Sequence, residues 1–224
     1  ANENQNQLYT AAATDAVDFT NGVVSYSLKA GGDAGLLDID ANTGLVTLKT
    51  GNLDAEGGKT SYTFTVEARD ATGNVREQTV TVNVGNVNDN PVLLSDANVA
   101  ANTVAENAVN GTAVGITALG TDGDVGTTVT YSLTDNAGGR FAINATTGVV
   151  TVADGSLLNY EANTSHDITV LATSSDGGTQ TATYTIGVSN VDEVAPAFTS
   201  ATTGTAQENQ NQLYTAAATD AVDF

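Results

Sequence analysis

The stretch from residue 61 to residue 91, SYTFTVEARDATGNVREQTVTVNVGNVNDNP, decides the fold of this chain. Apolar residues occupy every second position at its start: Tyr62, Phe64, Val66 and Ala68. The same spacing returns further on, at Val80, Val82 and Val84. Because successive side chains of a strand point to opposite faces of a sheet, this spacing predicts two strands, each with one buried face. Asp, Gly and Asn fall between the two runs, as they do in turns.

The second half of the chain shows the same alternation. It appears at Ile168, Val170 and Ala172, and again at Tyr184, Ile186 and Val188. Thr and Val are abundant, and helical periodicity is absent over any useful length. About seven short strands per hundred residues predict an all-β chain of Greek-key sandwiches.

Internal repeats divide the chain into domains. Residues 206–224 reproduce residues 1–19, with Asn2 replaced by Gln207 as the only difference. Within this long repeat there is a second, looser one with about half its period, which relates Tyr26-Ser27-Leu28 to Tyr131-Ser132-Leu133. The repeats predict a first domain at 1–90 that lacks its leading strand, a second at 91–195, and at 196–224 the first strands of a truncated copy of the first domain.

The composition limits the classes of partner. Twenty-six acidic residues against six basic ones give a net charge of −20, which excludes the basic surface that nucleic acid would require. Cations are the natural partners, although adaptation to a salty environment also favours acidic surfaces. The chain has no Cys and one His, so it offers no disulfide and little catalytic chemistry, and we expect no enzyme. No apolar run approaches the ~20 residues of a membrane-spanning helix, so we expect no membrane insertion.

Acidic and amide residues recur in an ordered set of short motifs. The first domain contains Asn2-Glu3-Asn4, Leu53-Asp54-Ala55-Glu56, Ala68-Arg69-Asp70 and Asn86-Val87-Asn88-Asp89-Asn90-Pro91. The second contains Glu106-Asn107, Asp122-Gly123-Asp124, Asn159-Tyr160-Glu161 and Asn190-Val191-Asp192-Glu193-Val194-Ala195-Pro196. Both sets resemble the xEN, LDxE, AxD, DxD and DxNDNxP motifs of cadherin repeats. The resemblance implies tandem Greek-key β-sandwich (cadherin/immunoglobulin-like) domains in a linear extracellular array at a cell surface.

The resemblance also implies calcium sites where neighbouring domains of the chain meet. Calcium takes six to eight oxygen ligands, so a cluster of ions needs many carboxylates that converge from different segments. The resemblance implies up to three Ca²⁺ per junction. At the first junction the expected ligands are Glu3, Asp54, Glu56, Asn86, Val87, Asn88, Asp89, Asn90, Asp122 and Asp124. At the second they are Glu106, Asn159, Glu161, Asn190, Val191, Asp192, Glu193, Asp220 and Asp223.

Departures from the family pattern predict unequal sites. Asn86 and Asn190 occupy an acidic position of the linker motif, and Asn159 replaces the Asp of LDxE. Ser174 stands where AxD would have its Asp, and Asp176 is a candidate substitute. An amide or hydroxyl can coordinate calcium but brings no charge, so we expect at least one ion per junction to be weak or lost. The remaining candidate ligands would face a domain upstream of this segment, in an incomplete site: Asp15, Asp18 and Asp70.

Two functions remain in competition. The first is a calcium-rigidified extender module of a large bacterial-type surface adhesin or extracellular filament, because a spacer needs length and regularity. The second is an adhesive module that recognises carbohydrate or another copy of itself, by homophilic contact or strand exchange. The duller interpretation of Asp122-Gly123 is an ordinary turn.

Overall fold

The computed structural model describes residues 1–15, 24–209 and 211–219. The chain forms two compact units, residues 1–91 together with the loop 122–127, and residues 92–121 together with 128–224. Strands make up nearly all the regular structure, beside two 3-10 turns at Ala34–Leu36 and Gly155–Leu157, so the all-β prediction is confirmed. In the described ranges no helix has the length and apolar character needed to cross a membrane.

The first unit packs two antiparallel sheets around one core. Its strands are β1 (Gln7–Thr10), β2 (Ser25–Lys29), β3 (Leu37–Ile39), β4 (Leu45–Leu48), β5 (Ser61–Arg69) and β6 (Val75–Asn83). One sheet has the order β1-β4-β3, and the other has the order β2-β5-β6. Tyr62, Phe64 and Val66 are buried together with Leu37 and Val46, so the alternation in β5 marks the core face as predicted.

The second unit has the same plan with one more strand in each sheet. Its strands are β7 (Leu93–Asp96), β8 (Thr103–Ala105), β9 (Ala113–Thr121), β10 (Val129–Asp135), β11 (Phe141–Ile143), β12 (Val149–Val152), β13 (Ser165–Ser174) and β14 (Thr179–Ser189). The sheets have the orders β11-β12-β9-β7 and β10-β13-β14-β8. Phe141, Ile168 and Ile186 are almost fully buried in its core.

A glycine turn at the same place in each unit fixes the close approach of two strands. Gly44 has φ +72°, and a Cβ built there would lie 2.4 Å from the Ala11 carbonyl oxygen. Gly148 has φ +70°, and its Cβ would lie 2.1 Å from the oxygen of Ala118. Glycine alone tolerates both the positive φ and the contact, which explains the repeated Thr-Gly pair.

The C-terminal segment forms a short two-stranded ribbon. Its strands are β15 (Ala197–Phe198) and β16 (Ala218–Thr219), which pair antiparallel. Phe198 is 80% exposed and Leu213 is 74% exposed, so the apolar side chains of this segment lack a core.

Candidate metal centre

The first site is built around a buried glutamate at the start of the chain. Glu3 is 4% exposed, and its two carboxylate oxygens accept hydrogen bonds from the backbone N–H groups of Ala55 (2.8 Å) and Val87 (2.5 Å). These two donors lower the pKa of Glu3. One buried carboxylate therefore ties together three segments of the chain, and it is held ionised and in a fixed orientation.

Four further carboxylates of the first unit lie close by. Oxygens of Glu3, Asp54 and Glu56 lie within 4.8 Å of one another, and the same holds for Glu56, Asp89 and Asp124. Removal from water raises the pKa of Glu56, and a hydrogen bond with Glu3 raises it further. Like charges at these distances repel, so a cation would stabilise the ionised form of the whole cluster.

The loop 122–127 supplies buried oxygens that lack donors. Asp124 is 4% exposed; its Oδ1 accepts from the Asn90 side-chain amide at 3.0 Å, and its N–H donates to Asp122 Oδ1 at 3.1 Å. In the described part of the chain, the second oxygens of Asp122 and Asp124 are buried with no hydrogen-bond partner. A buried anionic oxygen without a donor is costly, and a hard cation is the partner that would satisfy it. The residues present therefore fit a calcium ion.

The backbone of the loop 122–127 is also hydrogen-bonded to the cluster, which lines an open cleft. The N–H of Val125 donates to Asn86 Oδ1 at 3.0 Å and to Glu56 Oε1 at 3.2 Å. The side chains of Glu3, Asp54, Glu56 and Asp89 line an open cleft of about 430 Å³. The cleft gives an ion access to the carboxylates.

The second unit repeats the glutamate arrangement. Glu106 is 2% exposed and accepts from the N–H groups of Tyr160 and Val191, each at 2.8 Å. Oxygens of Glu106, Glu161 and Glu193 lie within 4.8 Å of one another. The geometry therefore follows the first site.

Amide replacements in the second unit keep the local shape. Asn159 Oδ1 accepts from the Ala162 N–H at 2.6 Å, just as Asp54 Oδ1 accepts from the Gly57 N–H at 2.6 Å. The Asn therefore preserves the turn while it removes one negative charge from the cluster.

Other expected ligands lie in turns or linkers. Asp192 accepts from the Val194 N–H at 3.2 Å, and Asp176 accepts from the Gly178 N–H at 3.0 Å. Asn88 and Asn190 lie in the segments that follow β6 and β14. Within the described ranges, the buried hydroxyl of Ser174 has no hydrogen-bond partner. Asp18, Asp220 and Asp223 lie outside the described residues.

Asp70 is already saturated by its own turn. Its oxygens accept from the side-chain amide and N–H of Asn74 and from the N–H and hydroxyl of Thr72, at 2.7–2.9 Å. These bonds, led by the Asn74 amide, lower the pKa of Asp70 to about 2. Asp15 and Asp70 line the same cleft.

Two asparagines that are not among the expected ligands also belong to these sites. Asn4 and Asn107 have φ of +64° and +53°, and their side-chain amides donate to Asp89 and to Glu193. Asn209 has φ +68° at the same place in the third repeat. Asn tolerates the left-handed region better than most residues. The sequence contains a signal for this role, because the Glu-Asn pair occurs three times in it.

Several known proteins resemble this chain in sequence and fold. The family model described as "Cadherin domain" matches residues 1–85 and 101–189. Human Protocadherin Fat 4 is 35% identical over 85% of this chain, and human Cadherin-23 is 31% identical over 85%. The chain spans 4% and 6% of the lengths of these two relatives. The crystal structure of mouse Cadherin-23 EC22-24 superposes with a TM-score of 0.66 and 26% identity, covering 98% of this chain and 73% of that one.

Proposed function

This chain belongs to the cadherin family, and from that premise we propose that it is a calcium-rigidified extender module of a long surface protein. Its extracellular location at a cell surface follows from membership of the cadherin family. The proposal does not include an enzymatic role. The chain's small share of its relatives' length fits one segment of a longer array.

One observation carries the calcium part of the proposal. In each unit a glutamate that is nearly inaccessible to water accepts two backbone N–H bonds and stands among other carboxylates. Such a cluster is unfavourable without a counter-ion, and calcium prefers the oxygen ligands it offers. Bound calcium would fix the segment 86–91 to the turn at Asp54–Gly57 and to the loop 122–127, and this would restrain the linker.

The two clusters are expected to differ in affinity. The first brings together five described carboxylates: Glu3, Asp54, Glu56, Asp89 and Asp124. Asp220 and Asp223, the expected counterparts of Asp122 and Asp124, lie outside the described residues. At the positions described for both clusters, the first has four carboxylates and the second has three, Glu106, Glu161 and Glu193, because Asn159 replaces the counterpart of Asp54. Fewer charges attract calcium less strongly, so we propose that the first cluster binds calcium more tightly than the second.

A calcium titration with three variants tests the proposal. Calcium is expected to raise the melting temperature, since a site at a hundred times its Kd contributes about 2.7 kcal/mol. Asp124→Asn should remove the tightest component of a calorimetric titration, and Glu161→Gln the weaker one. Asp38→Asn is the control, because it deletes an exposed carboxylate outside both clusters.

Scattering on the same samples tests the mechanical role. With chelator the chain should sample a broader range of dimensions, and calcium should narrow that range. If neither the melting curve nor the scattering profile changes between calcium and chelator, the proposal is wrong.

The relatives also bear on which kind of surface protein contains this chain. The relatives named above are animal proteins, so they lend no support to a bacterial-type adhesin. Homophilic recognition remains the alternative function; a solved protocadherin gammaB7 fragment is described as a cis-dimer, but at 23% identity it supports the fold alone. No observation favours carbohydrate binding.

A further inference from the structure

The loop 122–127 connects β9 with β10 in sequence, yet it packs with the first unit. Two asparagines of the segment 86–91 hold it there. The N–H of Val125 donates to Asn86 Oδ1 at 3.0 Å, and the side-chain amide of Asn90 donates to Asp124 Oδ1 at 3.0 Å. Both hydrogen bonds join protein groups directly, so they form without a metal ion.

A glycine of the loop allows Asn90 to come this close. A Cβ built on Gly123 would lie 2.8 Å from the Asn90 Cγ and 3.0 Å from its Cβ. The side chain of Asn90 therefore packs directly on the backbone of Gly123, and a larger residue there would have to displace one of the two. Within the loop, the Thr127 hydroxyl donates to the Asp124 carbonyl oxygen at 2.9 Å, which orders the backbone that Asn90 contacts.

Asn86 is uncharged at a position where a charge would oppose this contact. Its Oδ1 and the Oε1 of Glu56 accept from the same N–H, that of Val125, at 3.0 and 3.2 Å, so the two oxygens lie side by side. The linker motif of the family has an acidic residue at this position. Two carboxylates that share one donor would repel each other unless a cation offset their charge. The amide oxygen of Asn86 accepts the same hydrogen bond without that repulsion.

We infer that Asn86 is a positioning residue that keeps the loop 122–127 on the first unit when calcium is absent. With an acidic residue at position 86, the loop would dock only after calcium had neutralised the cluster. With Asn86, calcium strengthens a contact that already exists. The expected behaviour in calcium rests on the proposed function, whereas the expected behaviour in chelator does not.

Hydrogen exchange of the Val125 amide, measured by NMR in chelator and in saturating calcium, tests the role of Asn86. In chelator the parent chain should exchange this hydrogen at least about tenfold more slowly than an unfolded chain does. Asn86→Asp should lose this protection in chelator and regain it in calcium. The rise in melting temperature on adding calcium should also be larger for Asn86→Asp than for the parent, because the added carboxylate is unfavourable only without the ion.

Asn144→Asp is the matched control, because it adds the same charge outside both clusters. Asn144 is also exposed, and its Oδ1 accepts backbone N–H bonds from Thr146 and Thr147 at 3.0 and 2.9 Å. Asp40 accepts the same kind of bonds at the matching turn of the first unit, so an Asp fits this turn. The Val125 amide of Asn144→Asp should exchange as it does in the parent chain.

Gly123→Ala tests the same contact without a change of charge. The φ of Gly123 lies outside the left-handed region, so the overlap with Asn90 is what opposes an added methyl group there. In chelator this variant should lose at least about tenfold of the protection at Val125, while its strands stay protected as in the parent.

Three results would overturn the inference. They are a Val125 amide that is unprotected in the parent chain in chelator, an Asn86→Asp chain that keeps the parent's protection in chelator, and an Asn144→Asp chain that loses as much as Asn86→Asp does. If Asn86→Asp does not fold in chelator, the comparison of Gly123→Ala with the parent decides, and unchanged protection at Val125 refutes the inference. If calcium alters neither exchange nor melting in any of these chains, the proposed function is wrong, whereas protection in chelator still supports the role of Asn86.

Discussion

At the residue scale, Glu3 and Glu56 have opposite roles although both lie in one cluster. Glu3 is held by two backbone donors, and its pKa is lowered. Glu56 is desolvated beside Glu3, and its pKa is raised. Glu3 therefore stabilises the folded structure even without calcium. The ionised form of Glu56 destabilises the folded structure unless a cation is bound beside it.

We predict that Glu3→Gln and Glu56→Gln separate these roles. In chelator at neutral pH, Glu3→Gln should lower the melting temperature, because an amide NH₂ group would then face a backbone donor. Glu56→Gln should leave the melting temperature unchanged or raise it. Both variants should weaken calcium binding at least about tenfold by calorimetry. Equal melting temperatures for the two variants in chelator would contradict the assignment.

At the element scale, the turn that leads into β4 depends on a single glycine. Gly44 combines a positive φ with a Cβ position 2.4 Å from the Ala11 carbonyl oxygen. An added methyl group must displace the end of β1 or the turn itself.

We expect Gly44→Ala to destabilise the first unit by about 2 kcal/mol or more, through backbone strain and steric overlap. Gly51→Ala is the matched control, since Gly51 also has a positive φ (+75°) but has no neighbouring atom within 4 Å of its Cβ position. Urea unfolding of both variants measures the difference. If Gly44→Ala lowers the free energy of unfolding no more than Gly51→Ala does, the close approach to Ala11 does not contribute to the destabilisation.

At the scale of the whole molecule, the net charge of −20 opposes compactness. Eight of the 26 acidic residues lie in the two carboxylate clusters, where calcium would neutralise their charge. Monovalent salt screens the same repulsion, although less completely.

We therefore predict that salt and calcium stabilise the fold by reducing the same repulsion between carboxylates. Raising NaCl from about 0.01 M to about 0.15 M should raise the melting temperature clearly in chelator and only slightly in saturating calcium. Differential scanning calorimetry in the four conditions measures this. Equal salt effects with and without calcium would mean that the clusters are not the main source of repulsion.

The sequence by itself determined the strands, the repeat and the family. Alternation at Tyr62, Phe64 and Val66 sufficed because the two faces of a strand follow from its local geometry, whatever surrounds it. The order of the short motifs likewise predicted a set of candidate calcium ligands.

Only the tertiary structure decided how those residues meet. Glu3 reaches donors 52 and 84 positions away along the chain. Asn4 and Asn107 emerged as part of the sites, and Asp70 proved to be occupied by its own turn. Such contacts depend on how segments distant in sequence pack together, and a local pattern carries no information about that distance.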